Sequence, residues 1–179
     1  MALEIERRFL VDGRNEKPWR SGDSDSIFQC YLTNVTHMDG MIIWNENLLI
    51  EENAPIANIT TWRIRLNGDV ATLTAKGRKT GATATEFEWN LPLELYNSLD
   101  LDGLPSVQKT RYYWHGSDGL TWEVDEYEDS IAGLVIAEIE LEKEDQEVAL
   151  PEWLGLEITH LAGWSNASLS RMIKDSKSN

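Results

Sequence analysis

The chain has 179 residues, a formal net charge of −15, one cysteine and three histidines. That length suits one domain, read as residues 1–179, and the acidity argues against nonspecific nucleic-acid binding, which needs a basic surface. A lone Cys30 rules out an internal disulfide framework and fits a reducing, cytoplasmic setting, while no apolar run approaches the roughly 18 residues of a membrane span.

The start, Met1 to Glu6, lacks the basic and apolar regions of a secretion leader. Residues 2–11 read as a first strand, and turn-rich sequence follows from Asp12 to Asp25. Phe28 to Leu32 reads as a second strand, with Gln29, Tyr31 and Thr33 on one face. The stretch His37 to Ile59, punctuated by Asn, Gly and Pro, reads either as an extra hairpin or as a lengthened strand pair. Strands recur at 60–67, 70–77, 84–91, 107–115, 120–127 and 134–143, and Asn67-Gly68-Asp69 and Ser117-Asp118-Gly119 mark hairpin turns. Helical spacing occurs from Pro92 to Leu101 and from Ser165 to Lys174, the latter with Ser165 as N-cap. The acidic runs Glu142 to Glu147 and Asp125 to Asp129 read as solvated surface. The expected fold is mainly β (α+β): a closed eight-stranded antiparallel barrel with a few packing helices, since closure removes the edges of so long a sheet.

Charged residues recur at alternate positions in six of these segments, and successive strand residues face opposite ways. One face carries the bases Arg8, Arg63, Arg65, Lys76, Lys109 and Arg111 and the acids Glu4, Glu6, Glu86, Glu88, Glu123, Asp125, Glu138 and Glu140. For a single pair a solvated strand face is the ordinary explanation. The intervening Trp62, Ile64, Leu66, Phe87, Trp89, Ile139 and Leu141 are apolar and need a dry partner, so the charged face is read as the interior. Ions lose several kcal/mol of hydration there unless they are paired or liganded. A cavity that exchanges water for a polyanion on the bases and a divalent cation on the carboxylates resolves that cost. The three histidines show no zinc-ligand spacing.

Glu4-Ile5-Glu6-Arg7-Arg8 resembles the Glu-x-Glu-x-Lys signature of the CYTH superfamily, the triphosphate tunnel metalloenzymes. The resemblance continues in the family's order through Gln29-Cys30-Tyr31-Leu32, Arg63-Ile64-Arg65, Thr74-Ala75-Lys76, Glu86-Phe87-Glu88, Lys109-Thr110-Arg111-Tyr112, Trp122-Glu123-Val124-Asp125, Glu138-Ile139-Glu140 and Glu157-Ile158-Thr159, and closes on Ser165 to Leu169. It implies an eight-stranded tunnel that binds triphosphates with Mg²⁺ or Mn²⁺. It assigns Glu4, Glu6, Glu138 and Glu140, helped by Glu88 and Asp125, to metal binding. It assigns Arg8, Arg63, Arg65, Lys76, Lys109 and Arg111 to phosphate binding, and matches Lys109 and Tyr31 to a pair that assists cleavage. Residues 37–59 look like an insertion relative to compact family members.

The signature's Lys is Arg8 in this chain. Arginine grips phosphate bidentately but does not give up its proton. That departure suits binding and is what keeps a non-catalytic tunnel in view; the reading taken from the whole resemblance is a metal-dependent triphosphatase acting on inorganic tripolyphosphate. The alternatives are a tunnel that binds polyphosphate or nucleotide without turnover, and a thiamine triphosphatase or class IV adenylate cyclase; Trp44 or Trp114 at a mouth is the feature that keeps thiamine triphosphate in view. The expected partner is a small triphosphate, with no nucleic acid and no membrane, and exposed apolar outer faces allow a homodimer.

Overall fold

The computed structural model describes residues 2–178, and its centre is a closed antiparallel sheet. Eight strands form it: β1 (Ala2–Val11), β2 (Ser24–Leu32), β6 (Ile59–Asn67), β7 (Val70–Gly77), β8 (Thr83–Leu91), β9 (Ser106–His115), β10 (Thr121–Tyr127) and β11 (Val135–Glu140). Neighbours run β11-β10-β9-β2-β6-β7-β8-β1, and β1 closes the ring by pairing with β11 in the register Glu6↔Glu140 and Arg8↔Glu138. The charged interior follows from alternation: Glu4, Glu6 and Arg8 point one way along β1, while Ile5 and Phe9 join an outer apolar cluster. The barrel expected from the sequence is the barrel observed.

Three features differ from expectation. β2 begins at Ser24, because the residues from Ser24 onward already lie in register with β9, Asp25 opposite Arg111 and Ile27 opposite Lys109. Residues 36–51 form a separate three-stranded sheet, β3 (Thr36–Met38), β4 (Met41–Trp44) and β5 (Asn47–Glu51). Its turns use positive φ at Asp39-Gly40 and Asn45-Glu46, the backbone that two-residue hairpins require. A short strand, β12 (Leu154–Glu157), also pairs with the end of β1; its mostly exposed side chains carry no periodic apolar signal.

The apolar outer faces are covered largely by strands and loops rather than by helices. Ile64 and Leu73 pack with Ile42, Trp44 and Leu49 of the small sheet, and Leu99, just past α1 (Leu93–Ser98), joins them. On the other side Trp122 and Ile139 pack with Trp19, and Trp153 sits 5.1 Å from the Trp19 ring. Trp44 is buried, its Nε1 donating to the Thr33 carbonyl, and Trp114 lies edge-on to Trp153, so neither stands at a mouth. The run Asp125 to Asp129 is not a solvated surface either: Asp125 and Tyr127 face inward and are buried, and Glu126 accepts from Trp19 and Arg20. In the other acidic run, Glu142 to Asp145 are exposed, as expected.

At one barrel end the interior turns apolar. Val107, Tyr127 and Ile136 pack there with Ile158 and with Leu169 of α2 (Asn166–Lys177). Ser165 caps α2, its Oγ accepting from the Ser168 N–H at 3.1 Å. Among the described residues, no helix is long and apolar enough to cross a membrane.

Candidate active site

The barrel encloses a cavity of about 390 Å³. Its wall carries the bases Arg8, Arg63, Arg65, Lys76, Lys79 and Arg111 and the acids Glu4, Glu6, Glu86, Glu123, Glu138 and Glu140, with Tyr31 and Thr159 among them. The sequence-derived set is thus brought together, except for three members. Lys109 and Asp125 are wholly buried as an ion pair and do not reach the wall. Glu88 accepts from Thr74 and is half exposed, outside the cavity lining. Direct contact of these three with a ligand, as expected from the sequence, is not what the structure places; their side chains are spent on neighbours.

A chain of ion pairs supports one side of the wall. Asp125 binds both Lys109 and Arg111, the latter through Nε at 2.7 Å and Nη2 at 2.8 Å. Arg111 also holds Glu123 and, at 3.0 Å, Glu138; Glu138 in turn accepts from Arg8 Nε at 2.7 Å. Arg8 finally donates from Nη1 to the Trp164 carbonyl at 3.0 Å. Burial alone would raise the Glu138 carboxyl, but Arg8, Arg111 and Lys109 outweigh it and hold it well below the usual carboxylate range. Lys109 moves the opposite way for an amine: burial, then Arg111, outweigh Asp125 and bring it down to about 8. Tyr31 is shifted upward by burial against the pull of Arg63, Lys76, Arg65 and Arg8, so its hydroxyl keeps its proton at neutral pH. That hydroxyl accepts from Gln29 Nε2 at 2.8 Å.

The opposite side carries a carboxylate cluster. Lys76 lies 2.5 Å from Glu4 and 2.7 Å from Glu86, and Lys79 lies 2.8 Å from Glu6. Burial and a hydrogen bond donated to Glu86 raise the Glu4 carboxyl, so two acids share one proton where a cation would satisfy both. Glu140 faces Glu6 across the β1–β11 register and has no ion-pair partner among the described residues. Hard oxygen donors in this number suit a divalent cation of the Mg²⁺ or Mn²⁺ type. In the described side-chain arrangement no three such groups converge on one point, and Glu4 and Glu6 are turned to Lys76 and Lys79.

The cationic groups are unequally engaged. Arg65 makes no hydrogen bond or ion pair among the described residues, and burial with Arg63 and Arg111 nearby lowers its affinity for its own proton. Arg8 Nη2 and Arg63 Nε are likewise buried donors without acceptors. Such donors are costly unless an anion meets them.

Sequence reasoning did not assign Lys79, Thr159 or Asn166 to the site, and all three line the cavity. Lys79 sits on the β7–β8 connection, where strand alternation carries no information, and the other two bear no charge to announce them. Glu86 and Glu123 had been read as inward, without a role.

Comparison with known proteins agrees with this geometry. The CYTH domain profile matches residues 53–171. An inorganic triphosphatase of Acetivibrio thermocellus is 32% identical over 172 residues, 94% of each chain. The crystal structure of the inorganic triphosphatase NE1496 aligns with a TM-score of 0.59 at 26% identity over 95% of both chains. A second structure of NE1496 gives 0.58, covering 93% of this chain and 97% of that one. With the profile spanning most of the sequence and the barrel shared, this chain belongs to the CYTH domain family.

Proposed function

We propose that this protein hydrolyses inorganic tripolyphosphate to pyrophosphate and phosphate in a metal-dependent reaction inside the barrel. The observation that carries the reading is Arg65, a cavity-lining guanidinium with no acceptor among the described residues, beside the similarly unpartnered donors Arg8 Nη2 and Arg63 Nε. A triphosphate chain supplies oxygens in several directions at once, which is what divergent guanidinium groups recognise. The triphosphatase identity of the A. thermocellus relative supports the substrate class.

Glu4, Glu6, Glu138 and Glu140 are the residues proposed to hold the metal. A bound Mg²⁺ or Mn²⁺ would draw charge from the phosphate oxygens. The chain's own groups do the rest. Arg63, Arg65 and Lys76 fix the phosphate chain, so that water adds to the terminal phosphorus as the bond to pyrophosphate breaks. Their charge offsets that which develops on the leaving oxygen. Tyr31, protonated and on the wall, can donate a hydrogen bond to that oxygen. Lys109 acts from behind the wall, as a positioning residue that sets Asp125 and through it Arg111.

Phosphate release from tripolyphosphate, ATP and thiamine triphosphate, each with Mg²⁺, Mn²⁺ or EDTA, tests this. Chelator-sensitive release from tripolyphosphate well above the other two is expected. No release from any, with tight tripolyphosphate binding in calorimetry, would leave a binding tunnel without catalysis.

A further inference from the structure

The first turn of α2 meets the cavity with donors that the barrel strands do not account for. Ser165, Asn166 and Ala167 all line the wall. Ser165 Oγ occupies the Ser168 N–H, but Asn166 and Ala167, the first two residues of the helix, have no intrahelical acceptor for theirs. Tyr127 donates its hydroxyl to Asn166 Oδ1, which fixes the amide and leaves Nδ2 without a partner among the described residues. Independently of the helix, Arg8 approaches from β1. It is 5% exposed, its Nη1 is tied to the Trp164 carbonyl next to the cap, and its Nη2 is buried with no acceptor. Glu138 holds the other edge of the same guanidinium.

The sequence at this point is also unusual for so acidic a protein. Of 31 acidic residues none stands in the first turn of α2, although that position ordinarily favours carboxylates. The N–H groups of that turn therefore face no carboxylate from their own helix.

We propose that the first turn of α2 and Arg8 together seat a terminal phosphoryl group of the substrate. This inference rests on the triphosphatase reading and deepens it. The set comprises two backbone N–H groups, one amide and one guanidinium edge, all from residues that line the same cavity. A terminal phosphoryl group offers three unsubstituted oxygens to such a set, and an internal one offers two. The seat therefore selects phosphate chains with a free end and orients them along the cavity.

The test is calorimetric titration of tripolyphosphate in EDTA, so that neither turnover nor metal enters. Asn166→Pro is the decisive variant. Proline is tolerated at the first helical position, and Ser165 already has the extended backbone (φ −66°, ψ 149°) that precedes proline. It removes one N–H and the amide without adding charge. Affinity is expected to fall about tenfold or more relative to wild type, the loss of one charge-assisted contact. Asn166→Asp, which keeps an oxygen for Tyr127, is expected to fall further. Thermal unfolding checks that each variant is folded. Wild-type binding with both variants folded and within twofold of it overturns the seat, and so does no binding by wild type in EDTA, since the seat is built from protein donors alone; the triphosphatase reading stands or falls separately, by the phosphate-release assay.

Discussion

Lys109 and Asp125 form an ion pair in which neither side chain is exposed to solvent, behind the wall of the cavity rather than on it. Burial, then the neighbouring Arg111, bring the amine down to about 8 from an ordinary 10.5 in spite of Asp125. Between those two values the unfolded chain holds a proton that the folded chain has released. Unfolding then takes up a proton, so stability rises with pH across that window, and below about pH 8 both states are protonated and the slope vanishes. Chemical denaturation of wild type and Lys109→Met from pH 7 to 10.5 should show the wild type gaining relative to the variant above pH 8. The gain is limited to about 1.4 kcal/mol per pH unit, the value for one proton. Parallel curves would mean that Lys109 titrates normally.

Arg65 is expected to separate binding from stability. Because its guanidinium has no hydrogen-bond or ion-pair partner among the described residues, Arg65→Met should leave the thermal midpoint unchanged or raised. KM for tripolyphosphate should rise by about 10- to 100-fold, the loss of a charged hydrogen bond. A midpoint that drops by many degrees would show a structural partner for Arg65.

Glu138 behaves in the opposite way, since it bridges Arg8 and Arg111. Glu138→Gln leaves both cations short of a counter-charge and should cost about 3–5 kcal/mol of stability, as broken buried pairs do. Turnover should fall at least a hundredfold, and measurement of both quantities on one preparation checks the claim. Full activity in this variant is incompatible with the proposed metal site.

Gly22 follows the short turn Pro18–Ser21 and lies against β9. A Cβ there would overlap the Tyr113 carbonyl oxygen, and backbone cannot swing aside as a side chain can. Gly22→Ala should cost about 1–3 kcal/mol and lower the thermal midpoint by several degrees. Catalytic constants at low temperature should stay close to wild type, because Gly22 is not a lining residue.

The barrel was legible because alternation is a local property: Glu4, Glu6 and Arg8, or Arg63 and Arg65, announce their shared face within three or five residues. Depth along the barrel is not local. Lys109 and Arg111 share a face, yet one is sealed against Asp125 and the other reaches the cavity, because neighbouring strands are staggered and tilted. Asn166 gave no sign in the sequence either, since its role depends on Tyr127, 39 positions away in the chain. Trp44 and Trp114 misled for a related reason, because their burial depends on distant segments: Trp44 is carried by the small sheet onto Ile64 and Leu73 of the barrel, and Trp114 meets Trp153 edge-on.

The relay from Lys109 through Asp125, Arg111 and Glu138 to Arg8 ends on a peptide carbonyl, that of Trp164. Arg8 thus ties the C-terminal segment to the charged interior, beside the bond from the Tyr127 hydroxyl to Asn166. Neutralising a link, as in Glu138→Gln, is expected to loosen that tie, and an anion drawn onto Arg8 is expected to tighten it. Amide hydrogen exchange along α2, remote from the carboxylates themselves, thereby becomes a gauge that reads the occupancy of the barrel from its outside.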